Sequence, residues 1–350
     1  MTNNFRNKFG MTDKSRNKRC TELIEVFGMT ISVLFAILLS ACPTYGFFQF
    51  EFTNSNVDER SSSLLNFGSL DLSDQTQSLS STYSFLVFSD THYGSEREEL
   101  DEEKFLSWLS SWFQKYSSGE EKDLTKLPRF AVNLGDTADS GKESQFKQYL
   151  LFENKIKAVA GKYLYSETDE TADSERKFKV WSILGNHDLY NDGAKYFEKL
   201  IFPYRSAYFF NFDADSTDSY SGYSFYFLDS ANGTFGTNQI EDFKKKLDSD
   251  PHTKIVFTHY PVYAGGSDMF MIIQDTLERN TLLTYFKKGN VKQVYEGHAH
   301  KNYGFDFKAF REDVIGSLRF SARAEKQCAI ITVNEQTGKV STHIIEWLCN

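Results

Sequence analysis

Five short strand-like segments in this chain, most of them largely apolar, each lead into Asp, His or Asn, and that repetition constrains the fold more than any other feature. Phe85–Phe88 runs into Ser89-Asp90-Thr91-His92, and Phe130–Leu134 into Gly135-Asp136-Thr137-Ala138-Asp139. Val180–Leu184 runs into Gly185-Asn186-His187-Asp188, Ile255–Phe257 into Thr258-His259-Tyr260-Pro261, and Val291–Tyr295 into Glu296-Gly297-His298-Ala299-His300. Continuous apolar runs this short, bounded by polar and glycine residues, are the pattern of strands buried on both faces. Of the 7 histidines, only His252 and His343 fall outside these segments.

Between the runs the apolar residues fall at helical spacing, over Glu98–Tyr116, Gln145–Ala160, Ile240–Leu247 and Ile273–Lys288. Tyr223–Leu228 reads as a further strand. Arg319–Phe320, Cys328–Val333 and Val340–Ile345 read as antiparallel strands with a turn at Gly338. The order β-α-β-α-β followed by mixed strands predicts an α/β (α+β) fold: a four-layer α/β/β/α sandwich of two mixed sheets. Ligands of such folds bind beyond the carboxyl ends of the strands.

The residue types at those ends define a chemistry. Imidazole and carboxylate donors without thiolate suit Zn, Fe or Mn. Two cations about 3.5–4 Å apart can clamp the attacking and leaving oxygens of an in-line displacement, and such a pair needs a bridging carboxylate. Gly135, Gly185 and Gly297 let the backbone turn sharply beside the ions or a phosphate. Tyr260 and Tyr263 read as core aromatics and stay outside the predicted site.

Asp-x-His, Gly-Asp-x-x-Asp, Gly-Asn-His-Asp, a lone His and Gly-His-x-His, in that order, resemble the signature of calcineurin-like metallophosphoesterases over roughly residues 83–305. The resemblance implies a dinuclear site at the strand ends. One divalent ion would be held by Asp90, His92, Asp136 and His300, the other by Asp136, Asn186, His259 and His298. A water or hydroxide between the ions would be the nucleophile. The resemblance makes His187 the proton donor or transition-state stabiliser at the leaving oxygen. Asp188 would orient His187, and Asp139 would stand behind the ligands; the alternative for both acids is to cap the helices that follow. Asp139 stands where purple acid phosphatases carry Tyr, and Asp188 where protein Ser/Thr phosphatases carry Glu. The chain looks more like bacterial secreted phosphohydrolases and cyclic-nucleotide phosphodiesterases. A phosphorylated small molecule is the implied substrate. The alternative is a non-catalytic surface lipoprotein that kept the fold for binding or adhesion.

The start of the chain reads as an export signal. Six basic residues precede the apolar run Met29–Ala41, whose 13 residues fall short of the ~20 that span a membrane as a helix. Leu39-Ser40-Ala41-Cys42 resembles the lipobox of bacterial lipoproteins, which implies acylation of Cys42 and anchoring at the cell envelope, on its periplasmic or extracellular face. Residues 1–41 are thus expected to be a signal peptide, 42–82 a lipidated N-terminus and polar tether, and 83–350 the catalytic domain. Without the leader, the remaining 33 basic and 45 acidic residues give a net charge of −12, a surface that argues against long nucleic acid as partner. Bound cations would reverse the field locally for a small phosphorylated substrate. Cys328 and Cys349 flank the C-terminal hairpin, either as a disulfide or as two buried thiols.

Overall fold

The computed structural model describes residues 56–76, 80–96, 100–165, 178–214, 222–263, 271–319 and 326–347. The leader, Cys42 and Cys349 lie outside the described residues, and with them the expected signal peptide, the lipid attachment and the Cys328–Cys349 pairing. None of the described helices is long and apolar enough to cross a membrane.

Along the chain run α1 (Val57–Arg60), β1 (Leu65–Ser69), β2 (Thr82–Phe88), α2 (Glu102–Ser117), β3 (Pro128–Asn133), α3 (Glu143–Leu164), β4 (Val180–Ser182), α4 (Ala194–Leu200) and β5 (Tyr208–Phe212). They continue with β6 (Tyr223–Phe227), α5 (Thr237–Ser249), β7 (Thr253–Phe257), α6 (Thr276–Lys288), β8 (Val291–Glu296), β9 (Tyr303–Asp306), β10 (Arg311–Val314), β11 (Cys328–Asn334) and β12 (Lys339–Ile345). The strands form two mixed sheets, ordered β1-β5-β6-β7-β8-β10-β9 and β12-β11-β2-β3-β4.

Alternation along each strand builds the layers. On β2, Tyr83, Phe85 and Val87 face the other sheet, while Leu86 and Phe88 face helices. The inter-sheet core is aromatic: Phe85 meets Phe225 at 5.7 Å between centroids, Phe130 meets Phe210 at 6.0 Å, and Trp181 meets Phe210 at 4.4 Å. On the outer face of the smaller sheet α2 and α3 pack through Phe105, Leu109, Phe113, Phe146, Phe152 and Ile156. α2 starts where the Asp101 side chain accepts from the Lys104 amide at 3.1 Å, and it buries Phe105, Leu109 and Phe113 on one stripe. Phe243 of α5 covers Tyr226 on the outer face of the larger sheet and meets Phe286 of α6. The expected four-layer sandwich of two mixed sheets is therefore present.

The tether reading needs correction between Asn56 and Thr76. That stretch is polar, but β1 pairs in parallel with β5, and Val57, Leu64 and Leu72 are buried. Arg60 reaches the buried Asp229 at 2.6 Å, and Ser61 donates to the same carboxylate at 2.7 Å. A few well-placed apolar side chains and one buried ion pair dock a segment whose composition reads as unstructured. The domain therefore includes Asn56–Thr76, ahead of the expected start at residue 83. Arg319, expected in a strand, lies in a bend; Phe320 lies outside the described residues.

Candidate metal centre

β2, β3 and β4 run parallel, as do β6, β7 and β8 in the other sheet, so each set sends its carboxyl ends to one edge. The loops beyond them are bound to one another. Asp90 donates its amide to the Gly135 carbonyl at 3.0 Å, and Gly297 donates to the His259 carbonyl at 3.0 Å. Bonds also cross between the sheets: His259 Nδ1 donates to the Leu134 carbonyl at 2.8 Å, and the His298 amide donates to Asp90 Oδ2 at 3.1 Å.

Two donor groups share Asp136, with Asp90, His92, Asp136 and His300 in one and Asp136, His259 and His298 in the other; a third set, His92, Asp139 and His187, adjoins the first. In the first, His92 Nε2 lies 3.0 Å from His300 Nε2, 3.8 Å from Asp90 Oδ1 and 3.7 Å from Asp136 Oδ2, and His300 Nε2 lies 3.2 Å from Asp90 Oδ1. In the second, His259 Nε2 lies 3.3 Å from Asp136 Oδ2 and 3.2 Å from Asn186 Oδ1. Donors each ~2.0–2.2 Å from one ion stand roughly 3–3.5 Å apart, so these spacings and N/O donors fit a cation in each group. All seven residues expected as ligands are thus brought together.

The backbone is strained where the donors sit. Asp90, His92, Asp136, His298 and His300 all have positive φ, between 41° and 66°, a region that costs most L-residues energy and persists where surrounding structure enforces it. Close approach also demands glycine. A Cβ on Gly185 would lie 2.2 Å from the Asp136 amide nitrogen and 2.2 Å from its Oδ1. Gly135, at φ 100°, would press a Cβ to 2.9 Å from His259 Nδ1. These glycines let the ligand loops approach each other, a role beyond the expected approach to an ion or phosphate.

His187 and Asp188 behave differently from the expectation. The Asp188 carboxylate is buried and accepts the amides of Thr137, Ala138 and Gly185 at 3.2, 2.8 and 2.9 Å. It holds the Asp136 loop and makes no bond to the His187 ring. That ring instead donates through Nδ1 to the Asp139 carbonyl at 2.7 Å. The His187 amide donates to Asp136 Oδ1 at 2.8 Å. Asp139 Oδ1 stands 3.6 Å from His92 Nδ1, an ion-pair distance longer than a hydrogen bond, on the ring edge opposite the Nε2 that meets His300.

The charges interlock. Burial works against an ionised Asp90, but His300 and then His259 hold its pKa down at about 2. Burial likewise opposes ionisation of Asp136, and His259 and His187 overcome it, leaving the carboxyl well below its usual range. For His259, burial favours the neutral ring, yet Asp136 lifts it to about 9. His298 is pushed well down by burial and by His259, and His187 is pushed down by burial. Burial and then the Asp136 charge raise Asp188 to about 7.

Some participants were outside the predicted site. The Tyr260 ring lies on His298 at 3.8 Å between centroids; adjacency to His259 was its only signal. Ser317 donates to the Asp90 carbonyl at 3.0 Å. Glu296 and Glu312 are both buried and both accept the Val262 amide, at 2.9 and 3.1 Å. Burial raises both carboxyls: Glu296 well above its usual range, with the neighbouring Glu312 charge adding to the rise, and Glu312 to about 7 against the hydrogen bond from Glu296 and the loop amides. No local pattern marks Glu312, which sits in the charged run Arg311-Glu312-Asp313.

Comparison with known proteins adds a family. Residues 83–302 match the family profile described as calcineurin-like phosphoesterase. A curated protein of Fibrobacter succinogenes, named "Probable cyclic nucleotide phosphodiesterase", is 25% identical over 215 residues, covering 61% of this chain and 70% of that protein. Among solved structures, the Plasmodium inner membrane complex anchor GAP50 aligns with TM-score 0.45 and 17% identity, over 75% of this chain and 88% of that one. A 5'-nucleotidase of Candida albicans aligns with TM-score 0.45 and 12% identity, over 77% of this chain and 53% of that one. Structural likeness at this level does not discriminate between functions.

Proposed function

Since the chain belongs to the calcineurin-like phosphoesterase family, we propose that it hydrolyses phosphomonoester or phosphodiester bonds at a dinuclear centre, as an exported, lipid-anchored enzyme. The observation that carries the catalytic part is the sharing of Asp136 between two groups of His and Asp donors. Asp90, His92, Asp136 and His300 would hold one divalent ion, and Asp136, Asn186, His259 and His298 the other. When bound, the ions supply Lewis-acid charge at the phosphoryl oxygens and lower the pKa of a coordinated water.

The chain's own groups do the rest. His187 keeps Nδ1 on the Asp139 carbonyl, which fixes the tautomer and leaves Nε2 to exchange a proton with the leaving oxygen. Burial depresses the His187 pKa, so the charge of a bound phosphate is what would favour its protonated form. Asp188 ties Thr137, Ala138 and Gly185 together and so sets where Asp136 points. Phosphate release from p-nitrophenyl phosphate and bis-p-nitrophenyl phosphate, after chelation and after Mn²⁺ or Zn²⁺ add-back, tests the reading. Metal-dependent turnover of either supports it. Inertness toward both, and toward a cyclic nucleotide of the kind named for the Fibrobacter relative, would instead favour the non-catalytic lipoprotein.

The leader supports the anchoring part through its resemblance to a lipobox. Cys42→Ala protein is expected in the soluble fraction with an unacylated N-terminus by mass spectrometry. Membrane retention of that variant would remove the lipid from the proposal.

A further inference from the structure

We propose that Glu296 and Glu312 are a positioning pair that holds the loops of His259 and His298 in register, and with them one of the two cations. The inference rests on the two-metal reading above. Glu296 ends β8, two residues before His298, and Glu312 lies on β10, which pairs in parallel with β8. Both side chains reach under the segment that follows His259. The Val262 amide donates to Glu296 Oε1 at 2.9 Å and to Glu312 Oε1 at 3.1 Å, and the Tyr263 amide donates to Glu312 Oε1 at 2.7 Å. Glu296 is 0% and Glu312 2% exposed.

Two carboxyl groups sealed away from water are a costly way to hold two amides, because each must be desolvated and two adjacent buried carboxyls cannot both stay ionised. At buried acidic positions, well-packed apolar residues are often as stable or more so. The contacts of this pair point to what the acids do. They span the chain leaving His259 and the strand entering His298, the two histidines of the second donor group with Asp136. The Gly297 amide on the His259 carbonyl, at 3.0 Å, is the backbone half of the same clamp. Asp90 and His92 come from the other sheet, so their group meets this clamp less directly, through His300 and through the His298 amide on Asp90 Oδ2.

The test counts metal ions in the full-length chain by elemental analysis and calorimetric titration with Mn²⁺, with thermal unfolding measured alongside. Glu312→Leu fills the site but accepts no amide; Glu312→Asp is milder and draws the carboxylate back by one methylene. Glu312→Gln keeps Oε1 for both amides and offers Glu296 a donor. Wild type and Glu312→Gln are expected to bind two equivalents. Glu312→Leu and Glu312→Asp are expected to bind one equivalent about 10–100-fold more weakly and the other with a clearly smaller loss. Two equivalents at wild-type affinity in either of those variants, or equal weakening of both equivalents, overturns the inference while the two-metal reading stands. Fewer than two equivalents in wild type overturns both.

Discussion

The His187 imidazole donates to the backbone carbonyl of Asp139 at 2.7 Å, and the neighbouring Asp188 turns its carboxylate away to three backbone amides. The proton-transfer role proposed for His187 and the scaffold bonds of Asp188 thus fall on two adjacent residues. His187→Ala is expected to retain two equivalents of metal while kcat falls about 10²–10⁴-fold. The loss should shrink for an ester whose leaving group is acidic enough to depart unprotonated. Equal losses for good and poor leaving groups would contradict the proton-donor role.

Asp188→Asn should act through the fold. The amide replaces one acceptor oxygen with a donor facing backbone N–H groups, which costs about 1–3 kcal/mol. Denaturant unfolding should show that loss, and the pH dependence of turnover should keep its wild-type shape. A reshaped pH profile at unchanged stability would return Asp188 to a direct partnership with His187.

Asp136→Asn removes the charge common to both donor groups. Both metal equivalents should be lost or severely weakened in elemental analysis, with turnover down by about 10²–10³-fold or more. Retention of one tight equivalent would mean that the two groups do not share this carboxylate.

Gly185→Ala forces a methyl to 2.2 Å from the Asp136 amide nitrogen and carboxylate. The loop must move, at an overpacking cost of about 1–3 kcal/mol, and metal affinity should drop with stability. Wild-type metal binding in a folded Gly185→Ala protein would show that the Asp136 loop has room to spare.

Acid sensitivity should come in part from the N-terminal clamp. Burial opposes ionisation of Asp229, but Arg60, Ser61 and the Ala231 amide bring its pKa below 3.8. A carboxyl depressed in the folded state stabilises above its unfolded pKa and loses that contribution as pH falls through the folded value. Asp229→Asn should lose about 1–3 kcal/mol at pH 7, because the charged acceptor of the Arg60 guanidinium is removed while the bond to Asn232 remains. It should also show a shallower stability loss below pH 4 than wild type in urea titrations. Parallel acid limbs for the two proteins would rule Asp229 out as a source.

Most strands that lead to the candidate ligands were readable because a strand buried on both faces runs largely apolar, and because imidazole and carboxylate are metal-donor types whatever surrounds them. Local rules of that kind placed Asp90, His92, Asp136, Asn186, His187, His259, His298 and His300 correctly at strand ends. They fail for β1, whose polar Leu65–Ser69 pairs with a strand more than a hundred residues away. They fail equally for β10, where Glu312 is buried against amides of a distant loop. Partner choice was the other thing that local spacing left open. Asp188 sits next to His187 in the chain, yet folding brings three amides to its carboxylate and a different carbonyl to the imidazole. Residue type follows from chemistry at one position, whereas burial and hydrogen-bond pairing depend on which distant segments the packed sheets bring together.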